Sequence, residues 1–531
     1  MEQRRLALAF ALSLLVLFVY QRLLVPLYQK QAPPQPAIEH QAEEERQPAR
    51  QMPVVEALGD GVAAPVEGDT VTVDTDVVRA TFTPSGARLV TLELKRYPIS
   101  VAAESPPLEL VGAGLPVDGS QPAAADSPRL LPLALRVGSG PGDAGVIYRA
   151  DRTALVLHGK ERGEIVFTAD RPDGTMVSKR YGFTGDGYLF DVDVVPPTAA
   201  TLGLLLTAMP AESQHAPRPE VAIALVGNGL TQKTLDKVDQ IGTLAGATWA
   251  GFAAQYFVAV LVSREGTAEA RMVASPWGPV ALMESGADAG GSGHFAVYMG
   301  PKDRETLATA GYNLGRALDF GWVWFIAVPL LYALRWLYHL TGNYGISIIV
   351  LTTGVKVVTI PLTRATFRNM REMQKLQPQM AKLRERYKDD AATLQQEVME
   401  LYRRHQLNPL SGCLPMILQI PIFIGLYNTL MYAIELRHAP FALWITDLSS
   451  PDRLMVAGIG IPVLTLLMGG SMLLQQWLAP QQGDPTQQRL MMIMPLVFTY
   501  MFIYLPAGLV LYWLVNNLMS IGQQYLMLRR S

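Results

Sequence analysis

"ISIIVLTTGVKVVTIPLT", Ile346 to Thr363, is nearly all apolar and about long enough to cross a bilayer, yet it carries a full positive charge at Lys356. A lysine at the centre of a membrane helix costs roughly 2.5–3.5 kcal/mol on insertion scales. Thr352 lies four residues earlier, so the two share one helix face. Lys356 stands eight residues before Arg364, about 12 Å along a helix from its cytoplasmic end. Snorkelling covers much of that distance. No Asp or Glu lies in any expected span, however, and an unpaired charge needs water. The reading favoured here is a hydrated groove that opens to the cytoplasm.

The rest of the chain fits a membrane setting. Of 531 residues, 17% are charged and 50% apolar, against roughly 25% charged in soluble domains. With 44 basic and 46 acidic residues, the balance gives no electrostatic case for nucleic acid. The N-terminus, "MEQRRLALAFALSLLVLFVYQRLLVPLYQ", has basic residues before an apolar run, the layout of an uncleaved anchor over 1–28. A Pro-, Ala-, Glu- and Gln-rich linker follows over 29–65. Period-two stretches such as "TVTVDTDVVRATFT" and "YFVAVLVSR" then predict an antiparallel β-sandwich over 66–302, outside the cytoplasm.

Beyond it, apolar runs at 344–363, 413–434, 454–478, 490–505 and 507–528 predict five spans within a core of 343–531. A sixth run, Gly321–Leu340, cannot span without placing the ten basic residues of 364–410 outside, against the positive-inside rule. The region 303–342 is therefore expected to hold an amphipathic helix in the outer interface. In the basic loop, apolar residues recur every three or four positions, with Pro378 and Asn408-Pro409 as breaks. That pattern predicts a cytoplasmic helical hairpin. The fold class is a multidomain α+β membrane protein: anchor, β-sandwich, and five-helix bundle with hairpin.

No HExxH, GxSxG, P-loop or GxGxxG motif supports an enzyme. His339, His405 and His438 fall outside the expected spans. One cysteine, Cys413, rules out an intramolecular disulfide and a Cys-rich metal site. No catalytic residue, metal or cofactor is expected. Polar groups scattered in the spans, Gln419, Asn428, Asn516, Asn517, Ser520, Gln523 and Gln524 among them, should turn inward. Interhelical hydrogen bonding accounts for Gln419 and Asn517 as well as groove lining does. Two function classes remain: an anion transporter or channel, and a device that helps other proteins enter the membrane. The absence of a detectable repeat argues against the transporter.

"NYGISIIVLTTGVKVVTIPLT", "LNPLSGCLPMILQIPIFIGLYNTL", "APFALWITDLS" and "LPAGLVLYWLVNN" closely resemble the core of the YidC/Oxa/Alb membrane protein insertases, over nearly all of Trp322–Leu528. "AQYFVAVLV" and "VYMGPKD" resemble the large periplasmic domain of Gram-negative members. The resemblance implies an inner-membrane protein with both termini in the cytoplasm. It implies a basic residue, here Lys356 where Arg is commoner, in a groove open to cytoplasm and lipid. Thr352, Gln419, Asn516, Asn517 and Tyr512 would line that groove, and Phe423, Leu426, Tyr427, Val497 and Met501 would form a substrate slide. A family Tyr-Tyr pair reads Tyr512-Trp513 here. Arg364, Arg368, Arg371, Lys382, Arg384 and Arg386 of the hairpin would recruit substrate. The implied partners are nascent membrane proteins, the Sec translocon with its accessory subunits, ribosome and signal-recognition components, and lipid. Neither nucleic acid nor a small-molecule substrate is implied. The tail is only "LMLRRS", so ribosome contact through it is expected to be weak.

Overall fold

The computed structural model describes residues 70–111, 131–137, 142–143, 145–170, 176–195, 202–207, 220–275, 278–285, 292–387, 390–405, 414–478 and 485–529. The expected anchor, the linker and Cys413 lie outside them. Two compact units are distinguished: Met52–Pro480 with Pro495–Ser531, and Met1–Gln51 with Gln481–Met494. Every contact below lies within the first.

The β region contains a five-stranded and a thirteen-stranded sheet. Their pairings are antiparallel except that of Val71–Asp74 with Ala154–Val156. Strand Met176–Thr184 shows why they face each other: Val177, Lys179, Tyr181 and Phe183 are buried and alternate with more exposed residues. Across the gap, Phe82 of the smaller sheet meets Tyr181 at 4.7 Å and Phe167 at 6.0 Å between ring centres. Lys179 is the polar member of this inward row. Its ammonium donates to the Gly86 and Leu133 carbonyls and pairs with Asp143 at 2.5 Å. Burial pushes its pKa down and Asp143 opposes the shift. A buried charge persists only when paired and hydrogen-bonded in this way.

Nine helices follow among the described residues: α1 Arg304–Ala310, α2 Trp324–Thr341, α3 Tyr344–Lys375, α4 Gln377–Arg386, α5 Ala391–Arg404, α6 Leu414–Tyr432, α7 Val463–Leu478, α8 Pro485–Phe502 and α9 Ala507–Arg529. Gly342 ends α2 at φ 65°, a left-handed cap that glycine adopts without a Cβ penalty. α9 packs on α3 and α7, and α2 packs on α3 and α6. Ala327, Leu331, Leu334 and Leu337 form the buried stripe of α2, while Trp324, Phe325, Tyr332 and Trp336 are exposed. Among the described residues, Gly321–Thr341 and Tyr344–Pro361 are long and apolar enough to cross a membrane, and Ile420–Tyr432, Val463–Leu478 and Met492–Phe502 are shorter apolar stretches.

Three boundaries differ from the expected spans. α3 does not stop at Thr363 but continues to Lys375. Pro361 removes one backbone donor without breaking the helix, and the chain turns only before Pro378. Leu454–Val456 and Ile459–Ile461 pair as a β-hairpin instead of opening the fourth expected span. Its two turn residues, Ala457 and Gly458, both have positive φ (49° and 82°), the geometry of a two-residue type I′ turn. α8 begins at Pro485 and ends at Phe502, so Ile503–Leu505 lies past its end.

Polar contacts join the β region to the helices. Gln255 donates to the Met431 carbonyl at 2.9 Å, and Arg437 to that of Pro98 at 2.8 Å. Within the helical part, Arg335 of α2 pairs with Asp303 at the start of α1, with Glu305 and with Glu435. Asp303 also caps α1 by accepting from the Thr306 amide at 2.8 Å. Burial opposes ionisation of Asp303, but the Thr306 amide and hydroxyl and the Arg335 guanidinium outweigh it and hold the carboxyl below the ordinary value of 3.8. A carboxyl depressed on folding contributes stability that is present above its unfolded pKa and lost as pH falls through the folded one. Melts of the full chain in detergent between pH 3 and 7 should therefore show the midpoint falling below about pH 4. Asp303→Asn should melt lower at neutral pH and fall less steeply with acid.

Candidate functional site

The face of α3 that turns inward carries Ile348, Thr352 and Lys356, spaced by four residues, and all three are buried. Opposite them, α9 presents Asn516, Ser520 and Gln524, again spaced by four. The Lys356 ammonium donates to the Ser520 hydroxyl at 2.9 Å. That hydroxyl in turn donates to the Asn516 carbonyl at 2.8 Å. Thr352 does not join in: its hydroxyl donates back to the Ile348 carbonyl at 2.6 Å.

An ammonium has three donors. Among the described residues Ser520 is the one hydrogen-bond partner of the Lys356 ammonium, and no carboxylate lies within 4.0 Å of it. Lys356 is nonetheless only 8% exposed. Among the described residues the site thus holds a charge with donors to spare and no counter-ion. One turn further along α9, the Gln523 Nε2 and Gln524 Oε1 atoms are buried without a partner among the described residues, which continues the polar stripe.

The other expected residues fall around this centre in different ways. Asn517 is buried and donates to Ser471 of α7 at 3.0 Å, so its amide ties two helices together. Tyr512 is buried and stacks on Phe423 at 6.2 Å; Trp513 meets the same ring edge-on at 4.7 Å and also contacts Phe498 and Phe502. These rings join α9 to α6 and α8. Leu426 is buried, Phe423 and Tyr427 are half-buried, and Val497 and Met501 are exposed; only the last two present an open apolar surface. Gln419 sits on α6, but its side chain lies outside the described residues, as do those of Arg364, Arg368, Arg371 and Arg384. Lys382 and Arg386 on α4 are exposed, and Arg386 lies over the Tyr387 ring at 5.5 Å.

Sequence reasoning saw Ser520 among scattered polar residues but did not single it out; its spacing from Asn516 and Gln524 was the available signal. It also passed over Asp452, which is buried and accepts from Trp444 Nε1 at 2.7 Å and from the Leu464 and Thr465 amides at 2.5 and 3.2 Å. This carboxylate caps α7 and faces the positive end of its dipole. Gly469, midway along α7, has no room for a Cβ against Thr499 of α8, so α7 is held at both its start and its middle.

Two family models cover nearly all of the described chain. The "60Kd inner membrane protein" model matches residues 336–531 and the "YidC periplasmic domain" model residues 70–333. The chain is 36% identical to the membrane protein insertase YidC of Pelobacter propionicus, over 99% of this chain and 98% of the relative. It is also 36% identical to the protein of that name from Oleidesulfovibrio alaskensis, over the whole of both, and 37% identical to that of Geobacter sulfurreducens over 85% of each.

Asp452→Ala should cost about 2–4 kcal/mol, the sum of a lost helix cap and a charge-assisted bond. It should appear as a lower melting midpoint in detergent. Asp452→Asn, which keeps one acceptor oxygen, should lose about half as much.

Proposed function

The chain belongs to the YidC family of membrane protein insertases, and from that premise we propose that it inserts and folds integral membrane proteins in the bacterial inner membrane, with Lys356 as a temporary counter-ion for its substrates. The observation that carries this reading is the state of Lys356: one neutral partner, two donors to spare, and no carboxylate within reach among the described residues. Acidic residues of an incoming segment would complete its coordination. Thr352, Gln419, Asn516, Asn517 and Tyr512 would line the approach with Ser520, and Val497 and Met501 would face the substrate's apolar helix, beside Phe423, Leu426 and Tyr427. Partitioning of that helix into lipid, at about 25 cal/mol per Å² of apolar surface, supplies the drive. No nucleotide enters the scheme.

The proposed topology has six spans: the N-terminal anchor, the Tyr344–Pro361 part of α3, α6, α7, α8 and α9. The termini and the basic hairpin lie in the cytoplasm, α2 lies in the outer interface and the β region in the periplasm. The basic residues of 364–410 support this orientation. The short apolar parts of α7 and α8 would thin the bilayer beside Lys356 and shorten the substrate's path. The hairpin, with Lys382 and Arg386 exposed, would receive substrate, from ribosome and signal-recognition components or from the Sec translocon and its accessory subunits. The absence of catalytic motifs and the relatives' names both support a non-enzymatic role. Those names, at full length, do not favour an anion transporter.

Insertion of a single-span protein with an acidic N-terminal tail into proteoliposomes tests the reading. Lys356→Arg should keep activity. Lys356→Ala should lose about ten- to hundredfold, the worth of a charge-assisted contact of 1.5–3 kcal/mol. Full activity in Lys356→Ala, with the fold intact, would mean that apolar sliding and membrane thinning carry insertion without the charge.

A further inference from the structure

The junction of the β region with the helices contains a concave site that does not include Lys356. A cavity of about 890 Å³ opens between strand Gly229–Thr234, α1, the turn that follows α1 and the start of α2. Its charged lining is Arg304, Arg316 and Asp319. Arg335, nearby in the fold, is matched by three carboxylates. Arg304 and Arg316 have none within 4.0 Å among the described residues. Arg304 is held in place instead: its Nε donates to the Tyr332 hydroxyl at 3.1 Å and its guanidinium lies 6.0 Å over that ring. Its terminal nitrogens remain for another acceptor. Asp319 accepts from the Gly321 amide through Oδ1 alone.

The wall between these groups is strained. Gly311, Tyr312 and Asn313 have consecutive positive φ values of 81°, 49° and 56°. Tyr312 and Asn313 both line the cavity, and left-handed non-glycine residues concentrate at ligand clamps. Trp324 also lines it and is 61% exposed, with Trp322 (64%) and Phe325 (55%) alongside. Exposed tryptophans of this kind sit at headgroup level.

We propose that this cavity binds the headgroup of a membrane phospholipid, with its phosphodiester held by Arg304 and Arg316. Planar guanidinium groups suit phosphate oxygens, which they engage through paired N–H donors. Asp319, with one oxygen uncommitted, favours a headgroup that carries an amine, such as phosphoethanolamine. The tryptophans select a lipid over a soluble phosphate. The inference rests on the proposed placement of α2 at the outer membrane surface and is independent of the role given to Lys356.

Native mass spectrometry of the full chain, released from detergent after incubation with phosphatidylethanolamine, reads the occupancy directly. Wild type should retain one lipid. Arg304→Gln with Arg316→Gln should retain at least tenfold less. Arg316→Gln alone, a change at an exposed residue that cannot unfold the chain, should lose several-fold. Millimolar inorganic phosphate should leave the wild-type lipid in place. Equal retention by wild type and both variants would overturn the proposal. Binding of inorganic phosphate by wild type, lost in the double variant and with no lipid retained, would also overturn it: the anion chemistry would stand and the placement of α2 would fail.

Discussion

A cation among apolar helices has to find its compensation in dipoles or in something that arrives. Among the described residues the Lys356 ammonium finds one hydroxyl, and that hydroxyl is itself committed to the Asn516 carbonyl. In a low-dielectric interior such an arrangement leaves most of the desolvation cost standing. The fold tolerates the cost because the helices around it are stabilised elsewhere. Asn517 and Ser471 lock α9 to α7, the rings around Trp513 lock α9 to α6 and α8, and Asp452 fixes the start of α7. A site built in this way holds its charge in place and unpaired, as electrostatic attraction of a passing acidic segment requires. A pre-formed ion pair would instead have to be broken before each substrate could be engaged.

The β region and the helical core are linked by contacts of another kind. Gln255 and Arg437 each donate across to a backbone carbonyl of the opposite part. Directional polar contacts of this kind fix orientation more than they add stability. Arg304 and Arg316, by contrast, have no carboxylate within 4.0 Å among the described residues, and the ligand proposed above would supply the missing charge.

Much of the plan was legible in the sequence because it rests on strong periodic signals. Alternation of two gave the β region, and the four-residue spacing of Thr352 and Lys356 gave one wall of the site. The opposite wall was harder to read. Asn516, Ser520 and Gln524 stand in a run whose polar residues are too many for spacing alone to select Ser520. The hairpin at 454–461 was missed because "LMVAGIGI" is uniformly apolar, which matches a buried strand as well as a helix; only its Ala-Gly turn distinguishes the two. The passage of α3 beyond Thr363 was hidden by a change of composition at Arg364 that alters the solvent without ending the helix. The partners of Arg335 and Asp452 come from 8 to 100 residues away in sequence, as Trp444, Leu464 and Glu435 stand to them, and no local pattern announces such pairs.

The proposed role of Lys356 requires it to meet the acidic part of the substrate. A photo-crosslinker at position 520, next to the ammonium, tests it most directly in proteoliposomes arrested with a single-span substrate. The account predicts adducts to the substrate's acidic tail, which fall sharply when the tail is neutralised or when Lys356 is replaced by alanine. Adducts of equal yield from acidic and neutral tails would contradict it.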